Sequence, residues 1–228
     1  MSGQGEIVTI DGPSGAGKST ISRLLAAALG YTYLDTGAMY RAVGYRVEEL
    51  GLDLANAEGL RGLLADFTLQ LLPGADDTRV ILNGEDISRA IRTPEMGMMA
   101  SRVSALGLVR EKLVRLQQEL GRQGRVVAEG RDTGTVVFPE AGYKFFLDAS
   151  AEERAERRRK QLEEKGQTIE YDEILAQIVK RDHDDSVRAL SPLRPAADAI
   201  IVDSSAMNIE QVIAFMRQCI AKPQSTQA

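Results

Sequence analysis

Gly12-Pro13-Ser14-Gly15-Ala16-Gly17-Lys18-Ser19-Thr20 follows the apolar run Ile7-Val-Thr-Ile10 and Asp11, and it opens into a helical pattern. The spacing from Gly12 to Ser19 fits G-x-x-x-x-G-K-[ST], a phosphate-binding loop, with a strand-type run before it and a helix after it. Glycines let the backbone curl so that successive N–H groups point at phosphate oxygens. The following helix adds the positive end of its dipole. Lys18 is of the type that reaches the outer phosphates as a point charge, and the Ser19 hydroxyl is of the type that ligates Mg²⁺. Residues 12–20 are therefore the candidate ATP-binding loop.

A loop of this kind shows only that a nucleoside triphosphate is bound. A switch GTPase would also need N-K-x-D, which the chain lacks. Instead, arginines stand after strand-type runs or on helices near them, at Arg41, Arg110, Arg131, Arg181 and Arg188. The guanidinium fork matches phosphate bidentately, and transfer between two anions needs such a clamp. The plain alternative is surface arginines paired with the plentiful carboxylates. A second basic run, Arg154, Arg157, Arg158, Arg159 and Lys160, is interleaved with Glu152, Glu153, Glu156 and Glu163. It reads either as a solvated helix face or as a mobile lid closing over ATP, with Arg157 or Arg158 as the phosphate contact.

The elements that must position these residues alternate. A helix after the loop ends at Gly30, a short strand covers Tyr31 to Leu34, and a second helix runs to about Leu50. From about Gly51 to Arg92 the pattern changes to a short helix over Asn56 to Phe67 and two strand runs, Thr68 to Leu72 and Arg79 to Leu82. Turns are expected at Pro73 to Asp77 and at Asn83-Gly84. This reads as an inserted antiparallel lobe. Pro94 starts further helices, which run to about Gln123 with Val109, Leu113, Leu116 and Leu120 on one face. Strands follow at Arg125 to Glu129, Tyr143 to Leu147 and Ala199 to Val202. Helices are expected over Ala151 to about Lys165, Tyr171 to Val187, and through Ile209, Val212, Ile213, Met216 and Ile220. Met96, Met98 and Met99 read as packing against the second helix, Cys219 as core, His183 as helix surface, and the tail from Lys222 as frayed. The expected fold is α/β, a doubly wound parallel sheet with ligands beyond the strands' carboxyl ends. The expected division is a core of 1–50, 93–148 and 188–228, a lobe of 51–92, and a lid with flanking helices over 149–187.

With a net charge of -5, the chain is a poor general binder of nucleic acid. One cysteine and one histidine exclude an internal disulfide and the usual cysteine or histidine metal cages. No signal-peptide pattern or membrane-length apolar run is present, so a cytoplasmic protein away from membranes is expected.

Gly12 to Ser19, Leu34-Asp-Thr-Gly-Ala-Met-Tyr-Arg41, Ile91-Arg-Thr93, Glu129-Gly-Arg-Asp-Thr-Gly-Thr-Val-Val-Phe138, Phe146-Leu-Asp-Ala149 and Arg181-Asp182 together resemble bacterial cytidylate kinases over nearly the whole chain. The resemblance implies an adenylate-kinase-like core with an enlarged monophosphate-binding insert, and transfer of the ATP γ-phosphate to CMP or dCMP. It implies that Arg41, Arg131 and Arg188, with Thr36 close by, hold the acceptor phosphate. Arg181 and Asp185 would meet the sugar, and Ser101, Arg110 and Asp132 would read cytosine. A carboxylate suits the exocyclic amine of cytosine and meets a lone pair on uracil. Glu129 stands where related kinases place a carboxylate near Mg²⁺, either behind the metal's own ligands or in a purely structural role. The family leans to a monomer. Other small P-loop kinases, acting on shikimate or gluconate, lack a nucleobase reader. An ATP-dependent switch would not need the arginine set.

Overall fold

The computed structural model describes residues 6–72, 74, 78–164, 166–167 and 169–221. The tail from Lys222, most of the 73–77 turn, and Lys165 lie outside the described residues. In chain order the elements are β1 (Ile7–Asp11), α1 (Lys18–Leu29), β2 (Thr32–Asp35), α2 (Thr36–Glu49), α3 (Ala57–Ala65), β3 (Leu69–Leu72), β4 (Arg79–Leu82), β5 (Glu85–Asp86), α4 (Pro94–Ser104), α5 (Gly107–Gly121), β6 (Val126–Gly130), β7 (Tyr143–Asp148), α6 (Ala151–Glu163), α7 (Tyr171–Val187), β8 (Ile200–Asp203) and α8 (Ile209–Ala221). A short π-helical turn, Thr133–Val137, follows β6. No described helix is long and apolar enough to cross a membrane.

One sheet has the order β2-β6-β1-β7-β8. β1 runs parallel to β6 and β7, and β7 runs parallel to β8. Chain order reverses about β1, which makes the sheet doubly wound and puts its switch point at the end of β1. Every residue of β1 is buried, as a strand covered on both faces requires. Ile10, Leu25, Phe145, Leu147, Val212 and Met216 are among the side chains of this core, with Cys219 packed at its margin. α6 and α7 bury a small core of their own around Ala155, Leu162, Ile174 and Ile178.

The chain divides into two compact units, Met1–Tyr33 with Gly124–Ala228, and Leu34–Gln123. The expected lobe, 51–92, falls inside the second. There α2 packs on α4 so closely that a Cβ on Gly44 would come within 2.7 Å of Met99 Cγ. Met96 and Met99 are buried, whereas Met98 is 60% exposed, contrary to the expected packing of all three. The helical turn separates Met98 from its neighbours' shared face by well over 90°. On α5, Val109 and Leu113 are buried but Leu120 is exposed, and Gln117 holds the buried position instead. The stripe is continued at i+4, and Leu120 lies in the helix's last turn. Ile209, expected on the apolar face of α8, is also exposed, and Val212 and Met216 carry that face.

The small sheet β3-β4-β5 is antiparallel. Asn83 and Gly84, both at positive φ (49° and 89°), join β4 to β5, as a two-residue hairpin requires. The Asn83 carboxamide oxygen also accepts from the backbone N–H and hydroxyl of Thr68, which fixes the start of β3.

Candidate active site

In the first unit, β1 ends at Asp11 and the next residue starts the glycine loop. Gly12 has φ +151°, and a Cβ there would sit 2.0 Å from the Leu147 carbonyl oxygen, so no side chain fits. Gly15 and Gly17 are left-handed at +79° and +86°. Gly17 precedes α1 with no side-chain cap, which leaves the first-turn N–H groups to a ligand or water. Lys18 is buried, and its Nζ donates to the Pro13 carbonyl at 2.5 Å, folding back over the loop. Burial, then the charges of Arg131 and Arg181, pull its ammonium well below the usual lysine range, against Glu129 and Asp11. A cation held in this state gains when an anion arrives.

These shifts reveal which candidates share one neighbourhood. Arg131, just past β6, donates Nε to Asp185 Oδ2 on α7 at 2.9 Å. Burial alone would raise the Asp185 carboxyl, but Arg131, Arg181 and Arg188 outweigh it and hold the group below the usual carboxylate range. Arg188 Nη2 lies 3.9 Å from Asp132 Oδ1, and its Nε donates to the Ser191 carbonyl at 2.5 Å. The fold thus gathers Lys18, Arg131, Asp132, Arg181, Asp185 and Arg188 in one unit. Glu129, buried in β6, accepts a hydrogen bond from the Tyr33 hydroxyl. With the exposed Ser19 hydroxyl at the start of α1, it provides a carboxylate and a hydroxyl, both oxygen donors that suit Mg²⁺. Mg²⁺ prefers few protein ligands alongside phosphates and water, so this donor set fits it.

On α6, the basic run is divided by what its members touch. Arg154 is buried and donates to the Ser14 carbonyl (2.9 Å) in the glycine loop, to the Ala149 carbonyl (2.9 Å) and to Asp182 (2.5 Å) on α7. Arg157 donates to the Ser204 carbonyl at 2.7 Å and to Glu153 at 3.2 Å. Arg159 pairs with Glu156 and Glu163. Arg158 is half-buried, and His183 is exposed.

The second unit carries its own set. Asp35 caps α2 by accepting from Ala38 N at 2.8 Å, and its other oxygen accepts from Arg41 Nη2 at 2.9 Å. Gly37 lies against this pair, and a Cβ there would come within 3.1 Å of Arg41 Nη1. Thr36 is buried and Ser101 half-buried. Arg110 is buried 5.9 Å above the Tyr40 ring and donates to the Ser104 carbonyl at 3.5 Å.

Asp35 and Asp11 escaped the sequence reasoning, and Arg154 was named there only within the basic run. Asp35 was legible as an N-cap at the start of a helix. Asp11 carried only the signal of a lone acid closing an apolar strand. Arg154 sat in a run of basic residues and nothing local distinguished it.

A glycine loop at the switch point of a doubly wound sheet, with its lysine beside clustered arginines, defines a P-loop phosphotransferase. The cytidylate kinase family model matches residues 8–222. Cytidylate kinase of Carboxydothermus hydrogenoformans is 47% identical over 215 residues, covering 94% of this chain and 97% of that protein. Cytidylate kinase of Aliivibrio salmonicida is 50% identical over 208 residues, covering 91% and 93%. The chain belongs to the cytidylate kinase family. A crystal structure of an uncharacterized protein from Eubacterium ventriosum has a similar fold, with a TM-score of 0.50 at 11% identity over 94% of this chain and 97% of that one.

Proposed function

We propose that the protein transfers the γ-phosphate of ATP to CMP or dCMP, giving ADP and CDP or dCDP. The observation that carries this reading is the gathering of Arg131, Arg181 and Arg188 at the buried carboxylates Asp132 and Asp185, with Lys18 beside Arg131 and Arg181. The loop over 12–20 takes the ATP phosphates. Arg131 and Arg188 hold the acceptor phosphate, Arg181 and Asp185 meet the sugar, and Asp132 accepts from the cytosine amine. From the second unit, the family resemblance assigns Arg41 and Thr36 to the phosphate and Ser101 and Arg110 to the base. Lid contacts to ATP are assigned to Arg157 or Arg158.

The acceptor phosphate oxygen is already anionic near neutral pH and needs no strong base. It attacks the γ-phosphorus, a new P–O bond forms, and the bond to the β-phosphate oxygen breaks, leaving ADP. Lys18 and the arginines neutralise the charge spread over the transferring group and keep the two anions in line. Mg²⁺, when bound with ATP, adds further neutralisation of phosphate charge. Ser19 would hold it, with Glu129 behind. We also read the protein as a cytoplasmic monomer that does not bind nucleic acid, on the family resemblance and the acidic charge balance.

A coupled assay of ADP release with ATP·Mg²⁺ tests the reading against CMP, dCMP, UMP, AMP and GMP. CMP and dCMP should lead, with purines near background. If no monophosphate stimulates release, the reading fails.

A further inference from the structure

Asp11 closes β1 and is 3% exposed. Its carboxylate takes three donors, all from one short segment. Oδ1 accepts from Thr133 N at 2.8 Å and from Thr133 Oγ1 at 2.7 Å, and Oδ2 accepts from Gly134 N at 2.8 Å. Asp11 pairs across the sheet with Gly130, so the glycine loop and the segment bearing Arg131 and Asp132 leave adjacent parallel strands at the same level. Asp11 joins the two there with its side chain.

The fit leaves little slack. A Cβ on Gly134 would meet Thr9 Oγ1 at 2.8 Å and Asp11 Oδ2 at 3.4 Å, so the segment comes as close to β1 as a bare backbone allows. Beyond it, the Asp132 carbonyl accepts from Val137 N at 3.3 Å and the Thr133 carbonyl from Phe138 N at 2.7 Å, which closes the π-helical turn. The Asp132 side chain therefore projects from a backbone tied down on both sides. Burial pushes the Asp11 carboxyl up, and the hydrogen bonds from Gly134 and Thr133 oppose it without cancelling it. Three of the roughly four acceptor positions of the carboxylate are thus taken by this one segment.

We propose that Asp11 is a positioning residue for the acceptor nucleotide, holding the 131–134 segment so that Arg131 meets the phosphate and Asp132 meets the base. It acts through these residues and touches neither substrate. The proposal rests on the assignment of Arg131 and Asp132 made above.

Asp11→Asn is nearly isosteric, yet its NH₂ must face one of the three donors, which breaks that hydrogen bond and opposes donor to donor. Steady-state kinetics should show KM for CMP raised about tenfold, as expected for about 1.4 kcal/mol of lost binding. KM for ATP should stay within about twofold, and the CMP:UMP ratio of kcat/KM should fall about fivefold. Thr133→Val, which removes one hydroxyl and keeps both backbone N–H donors, should shift the same quantities in the same direction by less. It keeps the test decisive if Asp11→Asn does not fold. Equal rises in KM for CMP and ATP that track a lower Tm would overturn the proposal, because a merely structural aspartate would do that. Unchanged kinetics would overturn it too. Asp132→Asn serves as the control for the base-reading assignment. If that variant leaves the CMP:UMP ratio unaltered, base reading by Asp132 is wrong. A rise confined to KM for CMP in Asp11→Asn then still supports positioning through Arg131, and equal rises still refute it.

Discussion

The two units hold their candidate residues by different physics. In the first, charges are buried and mutually dependent. Lys18 is pulled down by burial and by Arg131 and Arg181, Asp185 is held down by three arginines, and Asp11 takes three donors. In the second, order is largely local. Asp35 caps its own helix and holds Arg41 six residues on, and in the small sheet β3 alternates half-buried with exposed side chains while β4 buries every second one. A buried network keeps its geometry and stores electrostatic strain for an arriving anion. A local arrangement is built from the helix turn itself and stores little.

The largest effect that would sharpen this contrast is at Lys18. Lys18→Met should reduce phosphoryl transfer about a thousandfold. The ligand-free variant should be no less stable than wild type near neutral pH. The sign follows from the direction of the shift. A lysine whose folded value is below its unfolded value penalises the fold increasingly as pH falls from the unfolded toward the folded value, and in full below the folded value. The penalty is absent above the unfolded value of about 10.4. Urea unfolding should therefore show the variant's relative advantage shrinking from pH about 7 toward about 10. An advantage that grows over this range would contradict the picture of a strained lysine.

Next come two glycines that share positive φ but not surroundings. Gly12→Ala drives a Cβ into the Leu147 carbonyl, so the loss should be about 4 kcal/mol or a failure to fold. Gly84→Ala, in the lobe turn, meets nothing within 4 Å and should lose only about 1–2 kcal/mol of backbone strain. Comparable melting temperatures for the two variants would erase the distinction between the regions.

The smallest contrast is between the two arginines. Arg131→Ala removes a hydrogen-bonded partner from an Asp185 side chain only 4% exposed, and should destabilise by about 2 kcal/mol. Arg41→Ala leaves Asp35 still capping α2, and with Arg41 23% exposed the loss should stay under about 1 kcal/mol. Chemical denaturation reads both. Equal losses would show that the second unit is as tightly networked as the first.

Residues 12–20, the Asn83-Gly84 hairpin and the start of α4 at Pro94 were legible because each is a statement about neighbouring residues. Backbone conformation at a turn or a helix end depends on residue type within a few positions. The faces of α4, α5 and α8 were legible only in part. Met98, Leu120 and Ile209 have the right hydropathy, yet burial depends on where partner surface ends. Among the lid arginines, charge and spacing are nearly degenerate from Arg154 to Arg159. Only the packing of α6 aims Arg154 at Ser14 and turns Arg157 to Ser204.

The amino-acid sequence by itself determined the phosphate loop, the alternation of strands and helices, and the residue types able to clamp and read a nucleotide, since these follow from local spacing and side-chain chemistry. The tertiary structure alone decided that Asp11 meets Thr133 and Gly134 over a separation of more than 120 residues, and that Arg131 finds Asp185. Strand order in the sheet sets those meetings, and the strength of a buried charge depends on every neighbour that excludes water from it.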